Sequence, residues 1–140
     1  MLASVLAALA LAAAPCSATR ADQLGPFYVP NAPVRAKVGT GHLLTGVVRS
    51  SRTCRPIARA RVELWLAGPE GDYGPAWRAT LFSRANGSYR FESHVPPAYS
   101  SRPPHIHLRV SARGFRTLVT QYYPRRGQTR GTFALVLRPR

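Results

Sequence analysis

The clearest pattern in this 140-residue chain is the stretch Arg102-Pro103-Pro104-His105-Ile106-His107-Leu108-Arg109-Val110. Its apolar residues alternate with its polar ones, and a period of two is that of a β-strand. Residues i and i+2 of a strand lie on the same face. His105 and His107 should therefore project from one face, while the apolar side chains project from the other toward a core. Two imidazoles on one face can bind a single metal ion.

Two tyrosines upstream of this strand stand beside turn residues. Tyr73 follows Gly71-Asp72, and Tyr99 follows Pro96-Pro97-Ala98. Taken singly, a loop tyrosine usually packs against the fold, and a strand histidine is usually a structural hydrogen-bonding group. Together, two phenols and two imidazoles form an unusual ligand set. It favours ferric iron, because a phenolate at neutral pH needs a strong local cation and zinc more usually binds Cys, His or carboxylate.

Short strands separated by turns dominate the rest of the chain. The sequence contains 13 prolines and 11 glycines, and the Asn86-Gly87 pair is a strong hairpin signal. About seven to eight short strands predict an all-β, antiparallel β-sandwich with no large helical domain. We expect one domain, residues 19–140, that begins with an irregular arm over 19–41. The strands are predicted at 43–48, 61–66, 77–83, 88–92, 105–112, 117–122 and 132–137.

The N-terminus resembles an export signal. Residues 1–14 are apolar and rich in alanine, and no charged side chain occurs before Arg20. We predict a signal peptide over residues 1–18, cleaved after Ala18, and export to the periplasm or beyond. An uncleaved anchor is the alternative. Cleavage would leave Cys54 as the single cysteine, so we predict a thiol near a turn and no internal disulfide. No membrane span is expected after cleavage.

The charge balance is strongly basic, with 20 Lys+Arg against 5 Asp+Glu and a net charge of +15. Such a balance is common in proteins that bind nucleic acid. The arginines are scattered along this sequence, however, and no nucleic-acid motif accompanies them. We therefore predict no specific nucleic-acid partner and attribute the arginines to composition. Homo-oligomerisation is possible.

Six segments of the chain resemble, in order, motifs of the intradiol ring-cleavage dioxygenases, a family of non-haem iron enzymes. The His105–His107 stretch is similar to the family's R-P-x-H-I-H, its most specific motif. The other matches are Gly25-Pro26-Phe27-Tyr28, the strand that runs from Pro56 to Trp65, Gly71-Asp72-Tyr73, Asn86-Gly87-Ser88-Tyr89-Arg90-Phe91, and Thr120-Gln121-Tyr122-Tyr123. These matches extend from about residue 22 to residue 138.

The resemblance implies a β-sandwich enzyme that binds one ferric ion per chain and cleaves a catechol between its hydroxylated carbons. It uses O₂ and yields a muconate-type diacid. The implied metal ligands are Tyr73, Tyr99, His105 and His107. The implied catalytic residues are Arg102, Gln121 and Tyr99, and the implied substrate-binding residues are Tyr28, Arg102 and Gln121.

Two other functions fit parts of the sequence. A non-catalytic, transthyretin-like or carboxypeptidase-regulatory-type binding module shares the strand pattern around Ala60–Leu64 and Asn86–Phe91. Because fold alone does not determine function, this module is the alternative, although it has no need for the paired histidines and tyrosines. The third possibility is a polyanion-binding protein that depends on the net positive charge.

Overall fold

The structure, a computed structural model, describes residues 16–140. Two four-stranded sheets pack face to face, and no α-helix occurs among these residues. The predicted all-β sandwich is thus confirmed. Its strands are β1 (His42–Ser50), β2 (Arg61–Leu66), β3 (Arg78–Phe82), β4 (Ser88–Ser93), β5 (Ile106–Ser111), β6 (Leu118–Tyr122), β7 (Arg130–Thr132) and β8 (Leu135–Leu137).

The first sheet has the strand order β3-β2-β5-β6 and is antiparallel throughout. In the second sheet β1 pairs with β4 antiparallel, and it pairs with both β7 and β8 in parallel. The sequence predicted one antiparallel strand over 132–137. The structure has two short strands instead, both parallel to β1 and in the same register, because Phe133 and Ala134 between them interrupt the strand pairing.

The core lies between the sheets and is built from alternate positions of their strands. Ile106, Leu108 and Val110 are fully buried there, as the period of two predicted. Leu64 lies opposite Leu108 in the register of β2 and β5. Burial of such side chains contributes about 1.5–3 kcal/mol each relative to exposure. The opposite face of β5 is left for polar residues.

The predicted irregular arm is confirmed, and it covers the outer face of the first sheet. The arm begins at the edge strand β6, where Asp22 N–H donates to Val119 O at 2.9 Å. It reaches the opposite edge at β3, where Thr80 N–H donates to Pro33 O at 2.8 Å. Because of this cover, Glu63 and Trp65 of β2 and His107 of β5 are buried although they face outward.

The prediction of an unpaired Cys54 is wrong. Cys16 and Cys54 form a disulfide with their Cα atoms 5.1 Å apart, a separation that such bonds normally span. The prediction failed because cleavage after Ala18 would have removed Cys16. Cleavage at that peptide bond before folding would remove Cys16 and prevent this disulfide. The expected signal segment itself lies mostly outside the described residues.

Candidate metal and substrate site

Four side-chain donor atoms meet on the outer face of the first sheet. The hydroxyls of Tyr73 and Tyr99 are 2.7 Å apart, and Nε2 of His105 and of His107 are 3.1 Å apart. Tyr99 Oη lies 2.9 Å from His105 Nε2. Tyr73 Oη lies 3.4 Å from His105 Nε2 and 3.3 Å from His107 Nε2. The structure thus brings together all four residues that the sequence proposed as ligands.

Local structure explains how distant positions reach one point. His107 is on β5, and His105 directly precedes that strand. Tyr73 follows a tight turn in which Gly71 N–H donates to Gly68 O at 2.8 Å. Tyr99 starts a second turn, closed by the bond from Arg102 N–H to Tyr99 O at 2.9 Å. The paired strands therefore position the imidazoles, and two turns deliver the phenols.

Burial determines the protonation state of three of these side chains. It lowers the pKa of His105 and, together with the charges of His105 and Arg102, lowers the pKa of His107 to about 4. Burial and the neighbouring Tyr99 raise the pKa of Tyr73 well above its ordinary value, although nearby arginines oppose this shift. Both imidazoles are thus neutral at neutral pH, and Tyr73 keeps its proton unless a stronger cation is present.

This arrangement fits a single metal ion. Atoms that each bind one ion at about 2 Å are roughly 3 Å apart, and the separations among these donors are 2.7–3.4 Å. His105 Nδ1 lies 2.8 Å from Pro103 O, and a proton on Nδ1 leaves Nε2 free to bind a metal. Within residues 16–140, no cluster of three His, Cys, Asp or Glu side chains exists. A metal here would thus depend on the phenol oxygens, which favours a hard, highly charged ion such as Fe³⁺.

Arg102 and Gln121 form a polar network at the edge of this site. The Arg102 guanidinium donates to Gln121 Oε1 at 2.5 Å and to Tyr123 Oη at 3.2 Å. The amide of Gln121 donates to Gln23 O at 2.7 Å, which ties it to the arm. Tyr123 in turn donates to Asp22. The role of Tyr123 in this network was not predicted from the sequence. Its position two residues after Gln121 was the available signal, because that spacing puts both side chains on one strand face.

Tyr28 does not lie where the sequence predicted. Its hydroxyl donates to Glu63 Oε1 at 2.8 Å, and Glu63 also accepts from Arg109. The ring that lines the cavity beside the four donors is that of Phe27, which stacks on Tyr73 with centroids 4.4 Å apart. Neighbouring residues of an extended arm point in opposite directions, so only one of the two rings can face the cavity.

The cavity has a volume of about 460 Å³ and opens beside the donor atoms. Its arm side is formed by Gln23, Gly25, Pro26 and Phe27. Gly25 has φ +70°, and a Cβ there would lie 3.3 Å from His107 Cε1. This close approach explains a glycine at the position, since other residues rarely adopt positive φ. Gly71, Tyr73, Tyr99, Ser100, Arg102 and His107 complete the lining.

Comparison with known proteins agrees with this geometry. No protein-family model matches the sequence. Catechol 1,2-dioxygenase 2 of Acinetobacter lwoffii is 37% identical over an alignment that covers 69% of this chain and 48% of that protein. Hydroxyquinol 1,2-dioxygenase of Rhodococcus opacus is 30% identical, with 76% and 46% covered. The chain belongs to the intradiol ring-cleavage dioxygenase family.

This intradiol dioxygenase homologue spans about half the length of the curated relatives it matches. A solved structure of comparable length also matches. It is the dioxygenase domain of a dioxygenase carbohydrate-binding protein fusion from the cellulolytic bacterium Streptomyces sp. SirexAA-E. The TM-score is 0.79 at 28% identity, with 89% of this chain and 100% of that chain covered. The compact sandwich therefore occurs as a unit in the family.

Proposed function

We propose that this chain cleaves a catechol between its two hydroxylated carbons, with O₂ as co-substrate and a muconate-type diacid as product. The observation that carries the proposal is the meeting of four donor atoms, from Tyr73, Tyr99, His105 and His107, each within 3.4 Å of at least two of the others. A non-catalytic binding module would gain nothing from collecting two buried imidazoles and two phenols beside a cavity.

These four residues would hold one ferric ion, which when bound acts as a Lewis acid toward the catechol oxygens. The chain's own contribution begins with proton transfer. A catechol that binds through both oxygens must lose two protons. The Tyr99 hydroxyl lines the cavity and lies 2.7 Å from Tyr73 Oη, so it is placed to accept one of them as a phenolate.

Arg102 would supply fixed positive charge at the substrate ring. Its guanidinium borders the cavity and is oriented by Gln121 and Tyr123. A guanidinium held in advance stabilises negative charge without reorganising during the reaction. Gln121 is thus an orienting group, since its own amide bonds to the arm carbonyl of Gln23 and is occupied.

Phe27 and the arm backbone would form the apolar side of the substrate cavity. The Phe27 ring is stacked at 10° on Tyr73, and Gly25 allows the backbone to approach His107 closely. An aromatic substrate gains affinity from contact with such a wall. Excluding water on this side would also strengthen the charge interaction with Arg102.

We further propose that the protein is exported. The Cys16–Cys54 disulfide supports this, because disulfides persist mainly in oxidising compartments. Cleavage before Cys16 would keep the disulfide within the mature chain, whereas cleavage after Ala18 would leave residues 1–18 attached only through it. Within residues 16–140, no helix is both long enough and apolar enough to cross a bilayer.

The test is to load the full chain with ferric iron and record its visible spectrum, first alone and then with catechol in the absence of O₂. We expect a tyrosinate-to-iron band that shifts on catechol binding, followed by a muconate-type product when O₂ is admitted. Tyr73→Phe and Tyr99→Phe should each alter the band. Tyr89→Phe, which removes a buried hydroxyl bonded to Phe133 O, is the matched control. A folded protein that remains colourless and binds no iron would overturn the proposal.

A further inference from the structure

One end of the sandwich gathers arginines that are scattered in the sequence. Four segments form this end, which we call the basic pole: 50–61, 82–88, 111–118 and 138–140. The register joins them, because Arg61 pairs with both Phe82 and Ser111. Leu66, at the other end of β2, pairs with Ile106 beside the metal site. The exposed arginines of the basic pole are Arg52, Arg55, Arg59, Arg84, Arg113, Arg116, Arg138 and Arg140.

The segments of the basic pole are fixed to one another by backbone hydrogen bonds. Arg59 N–H donates to Ser83 O at 2.9 Å, and Arg116 N–H donates to Arg138 O at 2.8 Å. Ser51 N–H donates to Leu137 O at 2.8 Å. The arginine Cα positions are thus set by the sheet framework, and together the guanidinium groups form one positively charged surface.

No acidic residue balances this charge. All five Asp and Glu residues of the chain lie outside the four segments, at Asp22, Glu63, Glu70, Asp72 and Glu92. The ion pairs found within residues 16–140 are Lys37–Glu92 and Arg109–Glu63, and neither involves the basic pole. The net charge of +15 is therefore unevenly distributed, with an uncompensated positive field at the end away from the metal site.

The N-terminal segment joins the folded domain at the same end. Cys54 lies within the 50–61 segment, and its disulfide with Cys16 holds the start of the arm there. Phe82, also on the basic pole, leaves 48% of its surface exposed. Basic and apolar groups on one surface are typical of proteins that bind the surface of an anionic bilayer.

We infer that the basic pole, through its arginines and Phe82, binds an anionic phospholipid surface, with the catalytic cavity facing away. The alternative polyanion, nucleic acid, is less well matched. Within residues 16–140 the pole presents no helix for a groove, and it lacks the row of exposed aromatics on which bases stack. The inference stands apart from the proposed ring cleavage, because binding to lipid requires neither iron nor catechol.

Flotation of the full chain with vesicles tests the inference. The vesicles are phosphatidylcholine alone or mixed with phosphatidylglycerol, at low and high salt. The pole variant carries Arg52→Gln, Arg55→Gln and Arg116→Gln. The matched control carries Arg125→Gln, Arg126→Gln and Arg130→Gln, which remove the same charge from exposed positions near the other end. Residues 1–14 are present in every protein, so their own affinity for lipid cancels in the comparison.

We expect the unmodified protein and the control to prefer phosphatidylglycerol vesicles, and the preference to weaken as salt rises. The pole variant should bind them about a hundredfold more weakly, because each of the three arginines that it lacks contributes roughly a factor of five near an anionic surface. Equal loss in both variants, or no preference for phosphatidylglycerol, would overturn the inference. Displacement from the vesicles by equimolar duplex DNA would overturn it too, in favour of nucleic acid.

Discussion

The imidazole of His107 lies parallel to the indole of Trp65, with ring centroids 5.0 Å apart and planes inclined by 4°. The two residues face each other directly in the register of β2 and β5. Tyr28 also packs against Trp65, with ring centroids 5.1 Å apart and planes inclined by 56°. The face of the Trp65 indole thus helps to set the orientation of His107.

Replacing Trp65 should therefore weaken metal binding as well as stability. In Trp65→Leu we expect iron affinity to fall about tenfold, as happens when support of a metal ligand is lost. The free energy of unfolding should fall by roughly 3 kcal/mol, since a large buried ring is removed. Iron titration and urea unfolding measure the two effects. Phe91→Leu, a fully buried core change on the other sheet, should lower stability without changing iron affinity.

Arg78 should hold two walls of the cavity together. Its buried guanidinium donates to Phe27 O on the arm and to Tyr73 O, the latter at 2.7 Å. In Arg78→Gln both carbonyls lose their partner, and we expect a loss of about 2–3 kcal/mol. Hydrogen exchange should quicken in the arm and in the 68–75 loop. Unchanged exchange rates in the arm and the loop would show that Arg78 does not hold them together. The control is Arg90→Gln, at an exposed strand position.

The disulfide should stabilise the domain by lowering the conformational entropy of the unfolded chain. Cys16 and Cys54 are 38 residues apart, and closing a loop of that size contributes about 3–4 kcal/mol by the chain-entropy relation. Denaturant unfolding with and without reductant should show this difference. Cys54→Ser should reproduce the reduced protein and respond no further to reductant. If reductant leaves the unmodified protein equally stable, the bond does not form in solution.

His42 should make the fold sensitive to acid. Burial lowers its pKa below the ordinary 6.5, so the unfolded chain binds a proton more readily than the native state. The free energy of unfolding should then fall as pH drops below about 6.5, by at most about 1.4 kcal/mol per pH unit for this one group. His42→Gln should make the slope shallower, leaving the part due to His105 and His107. Tyr122→Phe, which removes the bonding partner of His42, should keep the slope.

The period of two predicted the histidine pair because it is a local property, and the resemblance to the intradiol motifs implied which two tyrosines join it. The alternation around Ile106 determines which face His105 and His107 share, and a turn residue precedes each tyrosine. Those patterns do not depend on the rest of the molecule. The structure confirms the sandwich and places the four side chains together.

Other features depend on tertiary packing, which a one-dimensional pattern does not contain. Whether Phe27 or Tyr28 faces the cavity is decided by how the arm crosses the sheet, and Glu63 captures Tyr28. Arg78 looks like one arginine among nineteen until its two carbonyl partners are seen. The disulfide was missed for a different reason, namely that an assumed cleavage removed one partner.

Both ends of the described chain leave the sandwich on the side away from the cavity. Cys16 is tied to Cys54, and the backbone N–H of Arg140 donates to Gly114 O at 2.9 Å. A further domain or a linker attached at either end would thus extend from the same side, and the path of a substrate into the cavity would remain clear. The architecture is therefore suited to modular fusion, and catalysis and targeting could be altered independently of each other.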